Sequence, residues 1–428
     1  MSWTTQYPWL HFPRQFFAHA RSRARLKSYQ QSRLQQLLQH ATERVPFYSQ
    51  QQLPPDARSL HRWPVVKKDD LRRSGLQLLS RDLAPKQLIT HRSSGSTGSP
   101  VVLYRSWHEE RALGLLRMRA QHHWGVRWHH RRLALRPGHF NWDRNLVLEF
   151  LDRLGLYRLA TVSCFQSPEA IYRRLARLKP DYLGGYPQVL EGLSGWMLEH
   201  GAAPLPTRWV AAGGELFTHL ARQRIQRAFP QAWVGETYGS IEFNLIAWQC
   251  PQQPWLHLCE DGVHVEILDD QDAPVAPGQP GRLVGTALQS FAMPLIRFDL
   301  GDRVVAGPSP CPCGRPFATL ARVQGRQLDT FWFPDGSSLH PFELTNPLVE
   351  RCELEWLQRY QLVQEQPDRL VFRFQADAVP SGQQLETVRQ VLQEVLGSRA
   401  RLDLQQVNEF EAGVAGKFRY FRPLPGGS

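Results

Sequence analysis

A chain of 428 residues, 42% apolar and 21% charged, has the balance of a globular protein and the length for more than one core, which excludes a chain dominated by disorder. The net charge of +12 and pI near 9.7 invite a nucleic-acid partner, yet Lys and Arg are spread along the chain and no DNA- or RNA-binding signature accompanies them, so nucleic acid is not expected. No apolar run approaches the roughly 18 residues of a spanning helix, the start Met-Ser-Trp-Thr-Thr lacks signal-peptide order, and six cysteines do not make a disulfide scaffold, so a cytoplasmic protein without stable membrane insertion is expected.

Residues 15–45 carry leucines and glutamines at helical spacing and stop at Val45-Pro46, predicting a helical entry within residues 1–75. The run Arg92-Ser-Ser-Gly-Ser-Thr-Gly-Ser-Pro100 is neither helix nor strand. It reads as a solvated loop, or as an anion cradle in which Gly95 and Gly98 admit an anion to the backbone while Ser94, Ser96 and Thr97 donate hydroxyls. It is not a Walker A loop, because Ser99 and Pro100 follow Gly98. Helical patterns then alternate with short apolar strands at 133–135, 181–183, 209–211 and 232–234, predicting a largely parallel sheet. From about residue 255 the pattern turns to β, with a hairpin of 263–268 and 282–286 around a Pro/Gly-rich turn. A last module places a strand at 370–374, a helix carrying Leu385, Val388, Leu392 and Val395 closed by Gly397, and a strand at 401–404.

Two groups invite a metal. Cys250 and His257, with Cys311-Pro-Cys313-Gly-Arg315 beyond the hairpin, make a Cys₃His set suited to tetrahedral zinc, with Cys259 as an alternative sulfur; the competing reading is a group of buried reduced thiols. His122, His123, His129 and His130 lie among Arg127, Arg131 and Arg132, which would repel a cation, so they read as a basic helix end and turn.

Five stretches complete the pattern that the serine-rich loop begins. Ala212-Gly-Gly-Glu215 and Gly235-Glu-Thr-Tyr-Gly-Ser-Ile-Glu242 each follow a predicted strand, where open α/β sheets bind ligands. Ile296-Arg-Phe-Asp-Leu-Gly-Asp302, Val323-Gln-Gly-Arg-Gln-Leu-Asp329 and Gly416-Lys-Phe-Arg419 come next. In order and spacing, with Arg44-Val-Pro-Phe-Tyr48, Trp63-Pro-Val-Val-Lys67 and Leu178–Pro187, the set resembles the adenylate-forming enzymes, in particular the phenylacetate:coenzyme A ligase family and its capsular-polysaccharide-biosynthesis branch.

That resemblance implies an α/β fold: a large domain over 1–325 with mostly parallel sheets flanked by helices and a β-rich, zinc-bearing part at about 250–325, then a small mobile α+β domain over 326–428. It implies that Ser93, Ser94, Gly95, Ser96, Thr97 and Gly98 hold ATP phosphates and that Gly213, Gly214 and Glu215 lie against adenine. Tyr238 stacks on the base, and Gly239 and Ser240 beside it belong to the cofactor-binding set; Asp302 accepts from the ribose hydroxyls; Glu242 holds Mg²⁺. Arg326 binds phosphate and Lys417 reaches the acyl-phosphate oxygen, where developing negative charge needs a cation. Branch members carry a similar Cys/His set, which favours structural zinc on Cys250, His257, Cys311 and Cys313. The chain departs from the pattern at Ser99, where the family's lysine is missing, at Ile241, where the wider superfamily has threonine, and at Leu328, where a hinge carboxylate is usual and Asp329 stands beside it.

The expected activity is ATP-dependent conversion of a small carboxylic acid to acyl-AMP and pyrophosphate, followed by transfer to coenzyme A, an acyl carrier protein or an amine. Two alternatives are an adenylyltransferase that leaves AMP on its acceptor and a non-catalytic nucleotide-binding protein of a biosynthetic pathway. Phe140, Trp142 and Tyr186 are candidates for an acyl pocket or for core packing.

Overall fold

A computed structural model of the chain describes residues 18–92, 101–136, 158–276, 278–326, 330–339, 341–354, 356–376, 378–410 and 419–424. In chain order the first elements are α1 (Arg23–Arg44), α2 (Lys68–Ser74), β1 (Ile89–Arg92), β2 (Val102–Arg105), α3 (Trp107–His123), β3 (Arg132–Arg136), β4 (Leu159–Ser163), α4 (Pro168–Leu178), β5 (Tyr182–Gly185), α5 (Pro187–Glu199), β6 (Trp209–Gly213) and α6 (His219–Ala228). Strands β7 (Trp233–Ser240), β8 (Asn244–Gln249), β9 (Leu256–Leu258), β10 (Val263–Leu268), β11 (Pro280–Ala287), β12 (Phe298–Ala306) and β13 (Thr319–Arg326) follow. The rest comprises β14 (Phe331–Trp332), β15 (Ser338–Leu339), α7 (Pro341–Arg351), β16 (Leu357–Gln366), β17 (Arg369–Ala376), α8 (Gly382–Leu396), β18 (Arg401–Gln406) and β19 (Phe421–Arg422). Two compact units emerge, one of Met1–Arg127 with Gly235–Val323, the other of Trp128–Val234 with Gln324–Ser428.

In the first unit Ser22 caps α1 by accepting from the Arg25 amide, and Leu26, Leu34, Leu37, Leu38 and Ala41 form its buried stripe. The stripe joins Trp63, Phe243, Phe298 and Leu320 in one core. The strands of this unit run in the order β10-β11-β12-β13-β9-β8-β7. The predicted hairpin forms in antiparallel register, Val263 opposite Ala287 and Leu268 opposite Arg282. A separate antiparallel hairpin pairs β1 with β2, Ile89 opposite Arg105 and Arg92 opposite Val102, so the serine-rich run connects two paired strands. Ser106 caps α3 and Glu109 completes the capping box. The same Glu109 carboxylate is buried and accepts from the Ala292 amide at 2.7 Å, tying α3 to the segment after β11.

One ion pair organises the middle of this unit. Arg119 of α3 donates through both terminal nitrogens to Asp261, with side-chain exposures of 3% and 1%. Its guanidinium lies 5.2 Å from the Trp248 ring centre and 4.8 Å from that of Phe317.

In the second unit β4, β3, β5 and β6 lie side by side, all parallel, as the alternating pattern predicts. Ser167 accepts from the Ala170 amide at 3.3 Å with Pro168 in the first turn of α4. Leu133, Leu135, Leu183, Val210, Leu190 and Ile225 make a core between strands and helices. The C-terminal segment adds a four-stranded sheet, β18-β17-β16-β19, whose apolar face meets α7 and α8 through Leu344, Leu348, Val388 and Leu392. The fold is α/β, with a parallel sheet, a β-rich part and an α+β module. Among the described residues no helix is long and apolar enough to cross a membrane.

A buried charge left without its partner costs about 3–5 kcal/mol. Asp261→Ala should therefore lower unfolding stability by about that amount, read from urea midpoints, whereas Arg369→Ala, which breaks an exposed, solvent-screened pair with Asp403, should shift the midpoint far less.

Candidate functional site

The sequence candidates in the first unit converge at the end of β7. The Tyr238 hydroxyl donates to Asp302 Oδ2 at 2.6 Å, joining β7 to β12. Gly239 follows at an irregularity in the β7–β8 pairing, where a Cβ would come within 2.1 Å of the Asn244 carbonyl oxygen, so only glycine fits. The Ser240 hydroxyl accepts from the Phe243 amide at 3.2 Å and closes the turn. That turn exposes Ile241 and buries Glu242, whose side chain is 5% exposed.

Two cations that the sequence did not single out attend Glu242. Lys68, the first residue of α2, brings its ammonium to 4.0 Å from Glu242 Oε1. Arg105, the last residue of β2, donates to the carbonyl oxygens of Ile241 and Glu242, the latter at 3.0 Å. The hairpin that carries the serine-rich connection is thus fastened to the Glu242 turn. Arg105 also donates to Glu110 Oε1 at 3.1 Å, and His91 Nε2 lies 2.7 Å from the same oxygen. The segment around Lys68 is positioned by Val66, whose amide donates to the Arg297 carbonyl at 2.9 Å just before β12. The spacing Pro-Val-Val-Lys-Lys after Trp63 was the available signal for Lys68; an arginine at a strand end gave none for Arg105.

In the second unit the Gly213–Glu215 candidates stand at the carboxyl end of β6. Gly214 has φ +85°, and a Cβ there would lie 2.9 Å from the Tyr186 ring, so this backbone packs directly on an aromatic face. Burial, followed by the nearby Glu215 carboxylate, holds the Tyr186 hydroxyl above its usual pKa. Ser93, Ser94, Gly95, Ser96, Thr97, Gly98, Ser99, Leu328, Asp329, Lys417, Phe140 and Trp142 lie outside the described residues, and for Arg326 the structure describes only the backbone, at the end of β13.

A third group is the Cys/His set. The ligand atoms of Cys250, His257, Cys311 and Cys313 all lie within 4.8 Å of one another. Cys311 Sγ and Cys250 Sγ are 4.0 Å apart, and Cys313 Sγ is 3.3 Å from His257 Nε2. These spacings are close to the edges of a tetrahedron around zinc, whose bonds to sulfur and nitrogen are about 2.3 and 2.0 Å. Burial and the Arg315 and Arg119 charges press His257 down to about 4, so it is a neutral imidazole at neutral pH. Burial raises Cys250 and takes Cys311 to about 12, whereas Cys313 is lowered because the Arg315 amide and neighbouring groups outweigh its burial. Cys259 does not join the set; it is fully buried beside Arg119 and Asp261. His123 packs against Trp248 and Phe317 and is pressed to about 2 by burial and by Arg119.

Known proteins carry the same architecture. No family model matches the chain. Phenylacetate-coenzyme A ligase of Thermus thermophilus is 25% identical over 366 residues, 80% of this chain and 78% of that protein. The crystal structure of 2-hydroxyisobutyryl-CoA ligase in the postadenylation state, in complex with R3-HIB-AMP, superimposes with a TM-score of 0.77 at 22% identity over 94% of this chain and 90% of that one. Over four fifths of its length the chain is thus similar in sequence to phenylacetate–coenzyme A ligase. 2-Hydroxyisobutyryl-CoA ligase in the thioesterification state, in complex with 2-HIB-AMP and CoA, gives a TM-score of 0.61 at 23% identity, over 93% of this chain and 89% of that chain. The α/β class read from the sequence agrees with that shared fold.

The Arg105–Glu110 contact has a pH signature. Burial alone would raise the Glu110 carboxyl, but His91 and Arg105 outweigh it and leave it at about 2, below the ordinary value of 4.5. A depressed carboxylate stabilises the fold above its unfolded pKa and loses that contribution as pH falls through the folded one. The stability gap between wild type and Glu110→Gln should therefore be full above about pH 5, shrink from 4.5 toward 2, and be readable from thermal melts in that window.

Proposed function

We propose that this chain is an AMP-forming acid–thiol ligase. A carboxylate attacks the α-phosphorus of ATP, acyl-AMP forms and pyrophosphate leaves. A thiol then attacks the acyl carbon, the thioester forms and AMP departs with the carboxyl oxygen, the thiol proton passing to solvent. Coenzyme A is the thiol this reading favours, with an acyl carrier protein or an amine as the alternative acceptors. The observation that carries the proposal is the Tyr238–Asp302 pair beside a buried Glu242, in a chain whose kin are acyl-CoA ligases over most of their length.

Roles follow from chemistry. Asp302, already an acceptor for a hydroxyl, suits the ribose diol, and Tyr238 presents a ring for the base. Gly213, Gly214 and Glu215 offer backbone at close range to adenine, and Ser93 to Gly98 offer amides and hydroxyls to phosphates. Glu242 would hold Mg²⁺, which neutralises charge on the triphosphate. Lys68 supplies beside Glu242 a positive charge of the kind missing at Ser99. Arg326 and Lys417 are assigned to phosphate and to the acyl-phosphate oxygen, and residues 326–428 to a small mobile domain turning near 326–329. Cys250, His257, Cys311 and Cys313 fit zinc by donor type and spacing; the ion would cross-link the strand region after Glu242 to the turn after β12.

Acid-dependent exchange of labelled pyrophosphate into ATP, run with aryl, fatty and hydroxy acids, tests the reading. One acid class should support exchange, and Lys417→Ala should reduce it by about 100-fold or more. ATP binding without exchange for any acid would favour the non-catalytic alternative, and AMP retained on a protein acceptor the adenylyltransferase. Elemental analysis should find about one zinc per chain, lost together with thermal stability in Cys311→Ser/Cys313→Ser; metal-free wild type of equal stability would leave only a thiol cluster.

A further inference from the structure

At the carboxyl ends of the parallel strands in the second unit stands a cation that the fold does not use. Arg136 is the last residue of β3 and lies opposite Ser163 of β4. Leu133 and Leu135 enter the core between strands and helices, so alternation along β3 turns Arg136 to the face away from that core. Its carbonyl accepts from the Cys164 amide at 2.9 Å, which fastens the ends of β3 and β4 together. The half-buried Arg136 guanidinium has no hydrogen-bond or ion-pair partner among the described residues.

Three groups from neighbouring strand ends gather beside it. Tyr186 precedes α5, with its ring against the backbone of Gly214. Glu215 follows that glycine just beyond β6, and Cys164 follows β4. The Tyr186 hydroxyl feels the charges of Glu215, Cys164 and Arg136, so the four side chains share one neighbourhood. Burial, followed by Glu215 and Cys164, keeps that hydroxyl protonated at neutral pH, which leaves it a donor.

A guanidinium stays charged at any physiological pH, and its planar fork fits a carboxylate through two N–H groups. Half-buried and unpaired, it has given up hydration with nothing in exchange, and an anionic ligand would restore the balance. The carboxylate that is activated is a poor candidate for that ligand. A cation held on it would blunt its attack on phosphorus, and in acyl-AMP its charge is gone. A group that stays ionised through both half-reactions suits a permanent cation.

We propose that Arg136 selects the acid substrate by pairing with a second ionised acid group on it, so that dicarboxylic acids are the preferred class, with the Tyr186 hydroxyl as a second donor. The inference rests on the ligase reading for the reaction, not for the anion site itself.

Matched pairs of acids test it in the full-length protein: hexanoate against adipate, and benzoate against terephthalate, in pyrophosphate exchange. KM should be lower for the diacid of at least one pair by about tenfold or more. Arg136→Met keeps the aliphatic stem and removes the charge. It should raise KM for that diacid by about 10- to 100-fold, as loss of a hydrogen bond to a charged group does, and change the monoacid by less than about threefold. Arg136→Lys should recover part of the preference. A wild-type preference for both monoacids, equal rises in KM for the two members of a pair, or a rise confined to ATP overturns the proposal; the last would give Arg136 to a phosphate. Thermal melts with and without ATP supply a readout apart from activity. Adipate or terephthalate should raise the wild-type midpoint more than its monoacid does, and Arg136→Met should abolish that difference. If wild type activates no acid, the ligase reading fails alone; the diacid shift then still supports the anion site, and its absence refutes it.

Discussion

The Arg119–Asp261 pair is the constraint on which the first unit depends. Its two groups come from α3 and from the turn between β9 and β10, and both are removed from water. Such a pair repays its desolvation only with close geometry and further partners. Arg119 has them: two contacts to Asp261, the Cys259 sulfur at 3.6 Å, and the faces of Trp248 and Phe317. Trp248 and Phe317 also border His257, so the charge that fixes α3 packs the wall of the Cys/His set. At its other end α3 begins at Ser106, directly after Arg105, which grips the Glu242 turn. One helix therefore spaces the metal candidate from the magnesium candidate.

That arrangement explains which features were legible in sequence. Alternating apolar strands and capped helices predicted β3, β5, β6 and the start of β7, because a parallel sheet buried beneath helices demands apolar strands and sharp caps, whereas β4 was not singled out. The hairpin of β10 and β11 was equally plain, since its turn is rich in proline and glycine. β16 was not read as a strand: Gln361 and Gln364, both buried, interrupt its apolar pattern. Their amides serve the Arg419, Trp332 and Pro367 carbonyls, contacts set by tertiary packing and invisible to local periodicity. Likewise β19 has two residues, too few for any pattern, and exists by pairing in parallel with Leu362 and Val363.

The site divides along the same line. Tyr238, Glu242 and Asp302 were singled out by the resemblance that several motifs carry in order, each weak alone; the structure sets Tyr238 against Asp302 and buries Glu242. The Cys-x-Cys turn and the Cys250/His257 pair were readable by donor type, and the fold brings all four donors together across 63 positions of sequence, from Cys250 to Cys313. Arg105 was not readable, and Lys68 had only the Pro-Val-Val-Lys-Lys run after Trp63 to mark it. Each acts across more than 130 residues of chain, a reach that local sequence does not encode.

Lys68 also breaks a local rule. It opens α2, where the N-terminal end of the helix dipole disfavours a cation by about 0.3–1 kcal/mol. Asp69 and Asp70 in the same turn offset that cost, and the Asp70 carboxylate accepts from the Lys67 amide at 2.8 Å. Helix formation therefore does not require Lys68, and its long side chain is free to serve another partner. That partner is Glu242, a carboxylate 5% exposed, which without a cation would carry the full penalty of a buried charge. The Lys68–Glu242 contact offsets that penalty across 174 positions of sequence, which is why a cation dispensable to its own helix stands where it does.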